Sequence, residues 1–172
     1  GLLVFLWSVT GFGCAEQPKP EEQTKFGVKD YLARAYATVD TLDIADAIAA
    51  GGDTSLVFVD VREGDELIRK GKIPGSVHVP RGVLEFYIDE TSSMHMALFS
   101  SGKKIVFYCE SGGRSVLAAR LAMNMGLEEV AYLGGGFTAW VTGGGTVDHG
   151  DDVTYSVLIP RPHPLFNSTR DD

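Results

Sequence analysis

Three apolar runs constrain this chain more than anything else in it: Ser55-Leu-Val-Phe-Val-Asp-Val, Lys104-Ile-Val-Phe-Tyr and Glu129-Val-Ala-Tyr-Leu. A strand with one wet face alternates apolar and polar residues, whereas an unbroken apolar run reads as a strand buried on both faces, the condition of a parallel sheet. The intervening segments have the complementary pattern. Asp43-Ile-Ala-Asp-Ala-Ile-Ala-Ala is closed by Gly51-Gly52, and the stretch from Ser115 to Met125 is closed by Gly126, so each reads as a helix with a glycine stop. Asp30-Tyr-Leu-Ala-Arg-Ala-Tyr suits a further short helix. Strands alternating with helices place the chain in the α/β class, a parallel-stranded central sheet with helices on both faces. Such sheets bind ligands at the carboxyl ends of their strands, so a site is expected just after Tyr108.

Composition supports one domain with tails. The 172 residues are 44% hydrophobic and 22% charged, enough to build a core without staples. The 21 glycines cluster between the regular segments, where turns belong. A formal net charge of -8 disfavours a nucleic-acid partner, which would need clustered Lys and Arg to neutralise phosphates. Cys14 and Cys109 sit in such different surroundings that a disulfide between them is not expected, and neither has the paired Cys or His neighbours of a zinc site. His95, in Ser-Met-His-Met, and His149, in an acidic turn, lack companion ligands. No metal and no organic cofactor are expected.

The ends read differently from the middle. Gly1-Leu-Leu-Val-Phe-Leu-Trp-Ser-Val-Thr is apolar but too short to span a bilayer, and residues 1–15 read as part of an export signal. Two processing routes are open: cleavage before Glu16, or acylation of Cys14 at an imperfect lipobox that would give a membrane tether. Residues 16–37 read as a polar tether and a short helix, 38–142 as the domain, and 143–172 as a C-terminal extension. The localisation expected is exported, as a periplasmic or membrane-anchored lipoprotein of a bacterium. Asn167-Ser-Thr is assigned no role.

The segment after Tyr108 reads Cys109-Glu-Ser-Gly-Gly-Arg114-Ser115. A strand, a glycine-bearing loop and a helix N-terminus make an anion cradle, because successive amides converge and the helix dipole adds positive potential. A thiol there is expected to be acidified, with Arg114 supplying a cation. Gly112 and Gly113 are needed where the loop visits conformations that side chains resist. A cysteine after an apolar strand is by default a small core residue, and it is the Gly-Gly-Arg-Ser context that favours a nucleophile.

The loop resembles that of the rhodanese superfamily, in which the cysteine takes up sulfane sulfur and the loop amides hold the persulfide. Two flanking stretches agree: Val59-Asp-Val-Arg-Glu63 followed by Ile73-Pro-Gly-Ser-Val-His-Val-Pro80, and Leu133-Gly-Gly-Gly-Phe-Thr-Ala-Trp140. The resemblance implies that Cys109 and Arg114 are catalytic, that Glu110, Ser111, Gly112, Gly113 and Ser115 bind substrate, and that Asp60 and Arg62 brace the loop. Arg62 with Glu63 also reads as a solvated pair. Arg81 is either at the pocket rim, meeting an anionic donor, or an ordinary surface arginine. Phe137 and Trp140 read as core anchors of the last helix.

The function implied is a sulfurtransferase moving sulfur from a small sulfur-containing anion such as thiosulfate, through a Cys109 persulfide, to cyanide or a thiol. The competing class is a persulfide-carrying or protein-binding module without turnover, whose partner the sequence does not specify. Phosphatase or arsenate reductase activity is disfavoured, because the resemblance links it to a loop one residue longer.

Overall fold

A computed structural model of the chain describes residues 25–150. The export-signal, lipobox and sequon readings, and the extension beyond Gly150, lie outside the described residues. The sheet is built around β4 (Lys104–Tyr108), flanked by β2 (Leu56–Asp60) and β5 (Val130–Leu133). Two shorter strands extend it: β1 (Asp40–Leu42) beside β5, and β3 (Val77–His78) beside β2. The order is β1-β5-β4-β2-β3, with every pairing parallel.

The period of two along each strand explains why the runs are continuously apolar. Ile105 and Phe107 enter one core with Val59, Val130 and Tyr132; Val106 and Tyr108 enter the other with Phe58, Ala131 and Leu133. The first core is covered by α1 (Val28–Tyr36), α4 (Leu84–Ile88) and α5 (Gly113–Asn124), and the second by α2 (Ile44–Ala49) and α6 (Gly136–Thr142). Ala118, Ala119 and Ala122 keep the buried stripe of α5 small, so the helix lies close to the sheet. The remaining helix, α3 (Gly64–Lys70), follows β2 and buries Leu67. Fully burying a side chain such as Phe107 or Leu133 contributes about 2–3 kcal/mol.

Two boundaries differ from the sequence division. Helix α1, grouped there with the tether, packs on the domain: Ala35 is buried, and the Tyr36 ring lies 5.6 Å from that of Tyr132. At the other end Trp140 Nε1 donates to the Thr146 carbonyl at 2.8 Å, and Lys72 and Asp148 exchange two backbone hydrogen bonds of 2.9 Å. The packed body therefore continues past residue 142. Among the described residues no helix is long and apolar enough to cross a membrane.

Candidate functional site

Cys109 is the first residue beyond β4, and the strand's alternation puts it in the core beneath α1 and α5. It is a free thiol with 1% of its surface exposed. The Gly112 amide donates to its Sγ at 3.2 Å. Gly112 is also the N-cap of α5, at φ 105°, so the turn that ends the loop and begins the helix requires the left-handed region. Negative charge on the sulfur would thus sit at the positive end of a helix.

The back of the loop is held by α6. Phe137 N donates to the Cys109 carbonyl at 2.8 Å and Thr138 N to the Glu110 carbonyl at 3.0 Å. This clamp depends on Gly136, where a Cβ would meet the Cys109 oxygen at 2.4 Å. Ser115 is fully buried, and its hydroxyl donates to the Gly112 carbonyl at 3.0 Å, so it is committed to the loop's own backbone. Ser111 is exposed on the outer side, with Gly113 half-buried beside it.

A chain of charges runs behind the loop. Arg62 is fully buried and donates through Nε and Nη2 to the Asp60 carboxylate at 2.7–3.1 Å, and again through Nη2 to the Gly71 carbonyl at 2.8 Å. Its guanidinium carbon lies 4.1 Å from the centre of the Phe137 ring. Burial alone would make the guanidinium easier to deprotonate, but the hydrogen bonds and charge of Asp60 outweigh it and push its pKa up. Arg62 Nη1 is 3.8 Å from Glu110 Oε2; Glu110 also pairs with Lys70 and accepts from the Thr138 hydroxyl at 3.1 Å. Burial raises the Glu110 pKa, but Lys70 and Thr138 bring it below its ordinary value. The reading of Arg62 and Glu63 as a solvated pair is therefore wrong. Asp60, itself shut off from solvent, captures the guanidinium, and Glu63 instead caps α3.

Arg114 makes a bidentate pair with Glu66 of α3, each terminal nitrogen 2.7 Å from a carboxylate oxygen. That hydrogen-bonded fork holds the Glu66 carboxyl down at about 2 and raises Arg114. Glu66 was not singled out in the sequence. Its local signal is the Glu63-Gly-Asp-Glu66 capping box, whose Glu63 N donates to Glu66 Oε2 at 3.0 Å, and nothing in that pattern points to Arg114.

Residues 42–142 match the Rhodanese-like domain family. The chain belongs to the rhodanese-like family. It is 30% identical over 96 residues to the thiosulfate sulfurtransferase/rhodanese-like domain-containing protein 3 of Mus musculus, covering 51% of this chain and 59% of that protein. The chain thus spans just over half of that relative. It is 30% identical over 88 residues to the thiosulfate:glutathione sulfurtransferase of Homo sapiens, covering 48% of this chain and 76% of that one. A solved structure from Rhodopseudomonas palustris, of unknown function and described as a possible tyrosine phosphatase, is 45% identical with a TM-score of 0.71. It is matched over 74% of this chain and 98% of its own. Sulfurtransferases are therefore among the matched members of the family.

Within this rhodanese-like domain Arg81 lies on a 3-10 turn, Arg81–Val83, and its guanidinium pairs with Glu85 at 3.2 Å. No hydrogen bond or ion pair joins it to the Cys109 loop among the described residues. Nor do those residues contain a group of three or more His, Cys, Asp or Glu able to hold a metal ion.

Proposed function

We propose that this rhodanese-like domain is a sulfurtransferase working through Cys109. The Cys109 thiolate attacks the outer sulfur of a thiosulfate-like donor, the donor's S–S bond breaks, and sulfite leaves with the electron pair. Cyanide or a thiol then attacks the outer sulfur of the persulfide, and the thiolate returns. The observation that carries this reading is the placement of Sγ against the Gly112 amide at the start of α5, with the loop carbonyls turned to α6. Such a cradle suits a single added atom surrounded by amides, whereas a phosphoryl group needs donors disposed around three oxygens. The likeness to a possible tyrosine phosphatase makes that second activity worth measuring alongside.

The test is thiocyanate formation from thiosulfate and cyanide, run beside aryl phosphate hydrolysis, with wild type and Cys109→Ser. Thiocyanate formation lost in the serine variant is expected, with little phosphate hydrolysis in either protein. Phosphatase turnover that Cys109→Ser abolishes would overturn the assignment. A protein that gains one sulfur on Cys109 by mass spectrometry, yet forms no thiocyanate, would be a carrier module.

A further inference from the structure

Among the described residues, four cations that belong to the loop or its surroundings are each engaged by a carboxylate: Arg114 by Glu66, Arg62 by Asp60, Lys70 by Glu110, and Arg81 by Glu85. An anionic donor entering here meets no uncompensated cation among these four. Neutral N–H and O–H groups are then the unengaged donors available to its charge. One such group stands beside Gly112. The Tyr36 hydroxyl lies 4.0 Å from the point where a Cβ on Gly112 would sit, beside the residue whose amide donates to Sγ. Tyr132 reaches the same point at 3.9 Å and packs its ring against Tyr36, fixing where that hydroxyl can be. The hydroxyl makes no hydrogen bond among the described residues, and the side chain is half in solvent, at 46% exposure. Partial burial, then Tyr132, then Cys109 keep it protonated beyond the ordinary phenol range, so it is available as a donor at any working pH.

Helix α1, which carries Tyr36, precedes the stretch that matches the family, and its Leu32 lies 3.9 Å from a Cβ built on Gly113. Residues outside the matched stretch thus join Tyr132 in lining this side of the loop. We propose that Tyr36 is a donor-binding residue: its hydroxyl gives a hydrogen bond to the anionic head of the sulfur donor as that donor enters the Cys109 loop, with α1 as the wall that presents it. The inference rests on the sulfurtransferase reading and assigns one contact of its first half-reaction.

The test is Tyr36→Phe, which keeps the ring against Tyr132 and removes only the hydroxyl. In a two-step exchange, kcat/KM for thiosulfate reports the donor half-reaction and kcat/KM for cyanide the acceptor half-reaction. A lost hydrogen bond to a charged group should lower the first by about tenfold to a hundredfold, leave the second within about twofold, and leave both unchanged in Tyr31→Phe on the same helix. Equal losses in both half-reactions, or none, would overturn the proposal. If wild type forms no thiocyanate, the sulfurtransferase reading fails separately, and protection of Cys109 from iodoacetamide by thiosulfate still reads the contact. Protection weakened in Tyr36→Phe sustains it; equal protection in both proteins refutes it.

Discussion

Replacing Glu66 by Gln removes the charge of the Glu66–Arg114 pair and one of its two hydrogen bonds. The amide oxygen of Gln can still accept from Glu63 N and Arg114 Nη1, so the capping of α3 survives, but the amide NH2 then faces Arg114 Nη2 and cannot accept from it. Holding a carboxyl from 4.5 down to about 2 corresponds to at most about 3 kcal/mol. The Arg114 side chain is 38% exposed, and the water reaching it reduces this to about 1–2 kcal/mol. With a urea slope of roughly 2 kcal/mol per molar, the unfolding midpoint at pH 7 should fall by about 0.5–1 M. The pH dependence is the sharper signature. A carboxyl whose folded pKa is depressed stabilises fully above its unfolded value and loses that contribution as pH falls through the folded value. The gap between wild type and Glu66→Gln should therefore be constant above about pH 5 and close progressively from pH 4.5 towards pH 2. Urea unfolding followed by tryptophan fluorescence at a series of pH values measures both. A midpoint within about 0.2 M of wild type at pH 7, or a gap that persists undiminished at pH 2, would show that the pair contributes nothing through its charge.

Two further substitutions test the frame behind the loop. Arg62→Leu leaves the Asp60 carboxylate without its countercharge in a dry interior, with only the backbone N–H of residue 62 among its present Arg62 donors, and should cost about 3–5 kcal/mol by denaturant unfolding; a loss under about 1 kcal/mol would mean that water reaches Asp60. Gly136→Ala forces a side chain at φ 64° against the Cys109 carbonyl and should cost about 2–4 kcal/mol. Gly75→Ala, at φ 72° with nothing within 4 Å, should cost only the backbone strain of about 1–2 kcal/mol. Equal losses in the two glycine variants would remove the case for a tight contact.

What the sequence reveals depends on how far each signal reaches. The strands β2, β4 and β5 are legible because burial on both faces leaves a continuous apolar run. β1 and β3 are not, since Asp40–Leu42 and Val77–His78 are too short to form one. The Cys109 loop is legible because its glycines, arginine and helix start are local. The Glu66–Arg114 pair spans 48 residues and leaves no local trace. Arg62 misleads for a different reason: charged side chains belong by default in water, and its burial is made tolerable by Asp60 together with the Gly71 carbonyl and the Phe137 ring. Helix α1 did leave a signal. Leu32, Ala35 and Tyr36 follow the i, i+3, i+4 spacing of a helix with one packed face, and Ala35 is buried.

The α6 clamp bears on how portable this site is. In a trans peptide the C=O and the following N–H point in opposite directions. When Phe137 and Thr138 draw the carbonyls of Cys109 and Glu110 toward α6, they also turn the amides of Glu110 and Ser111 the other way. The aim of those amides is thus set from a helix well downstream in the chain, through a glycine that leaves no room for a side chain. Grafting Cys109 through Arg114 onto another strand–helix turn would transfer the letters of the loop without its orientation. The smallest transplantable unit includes the stretch from Gly134 to Trp140.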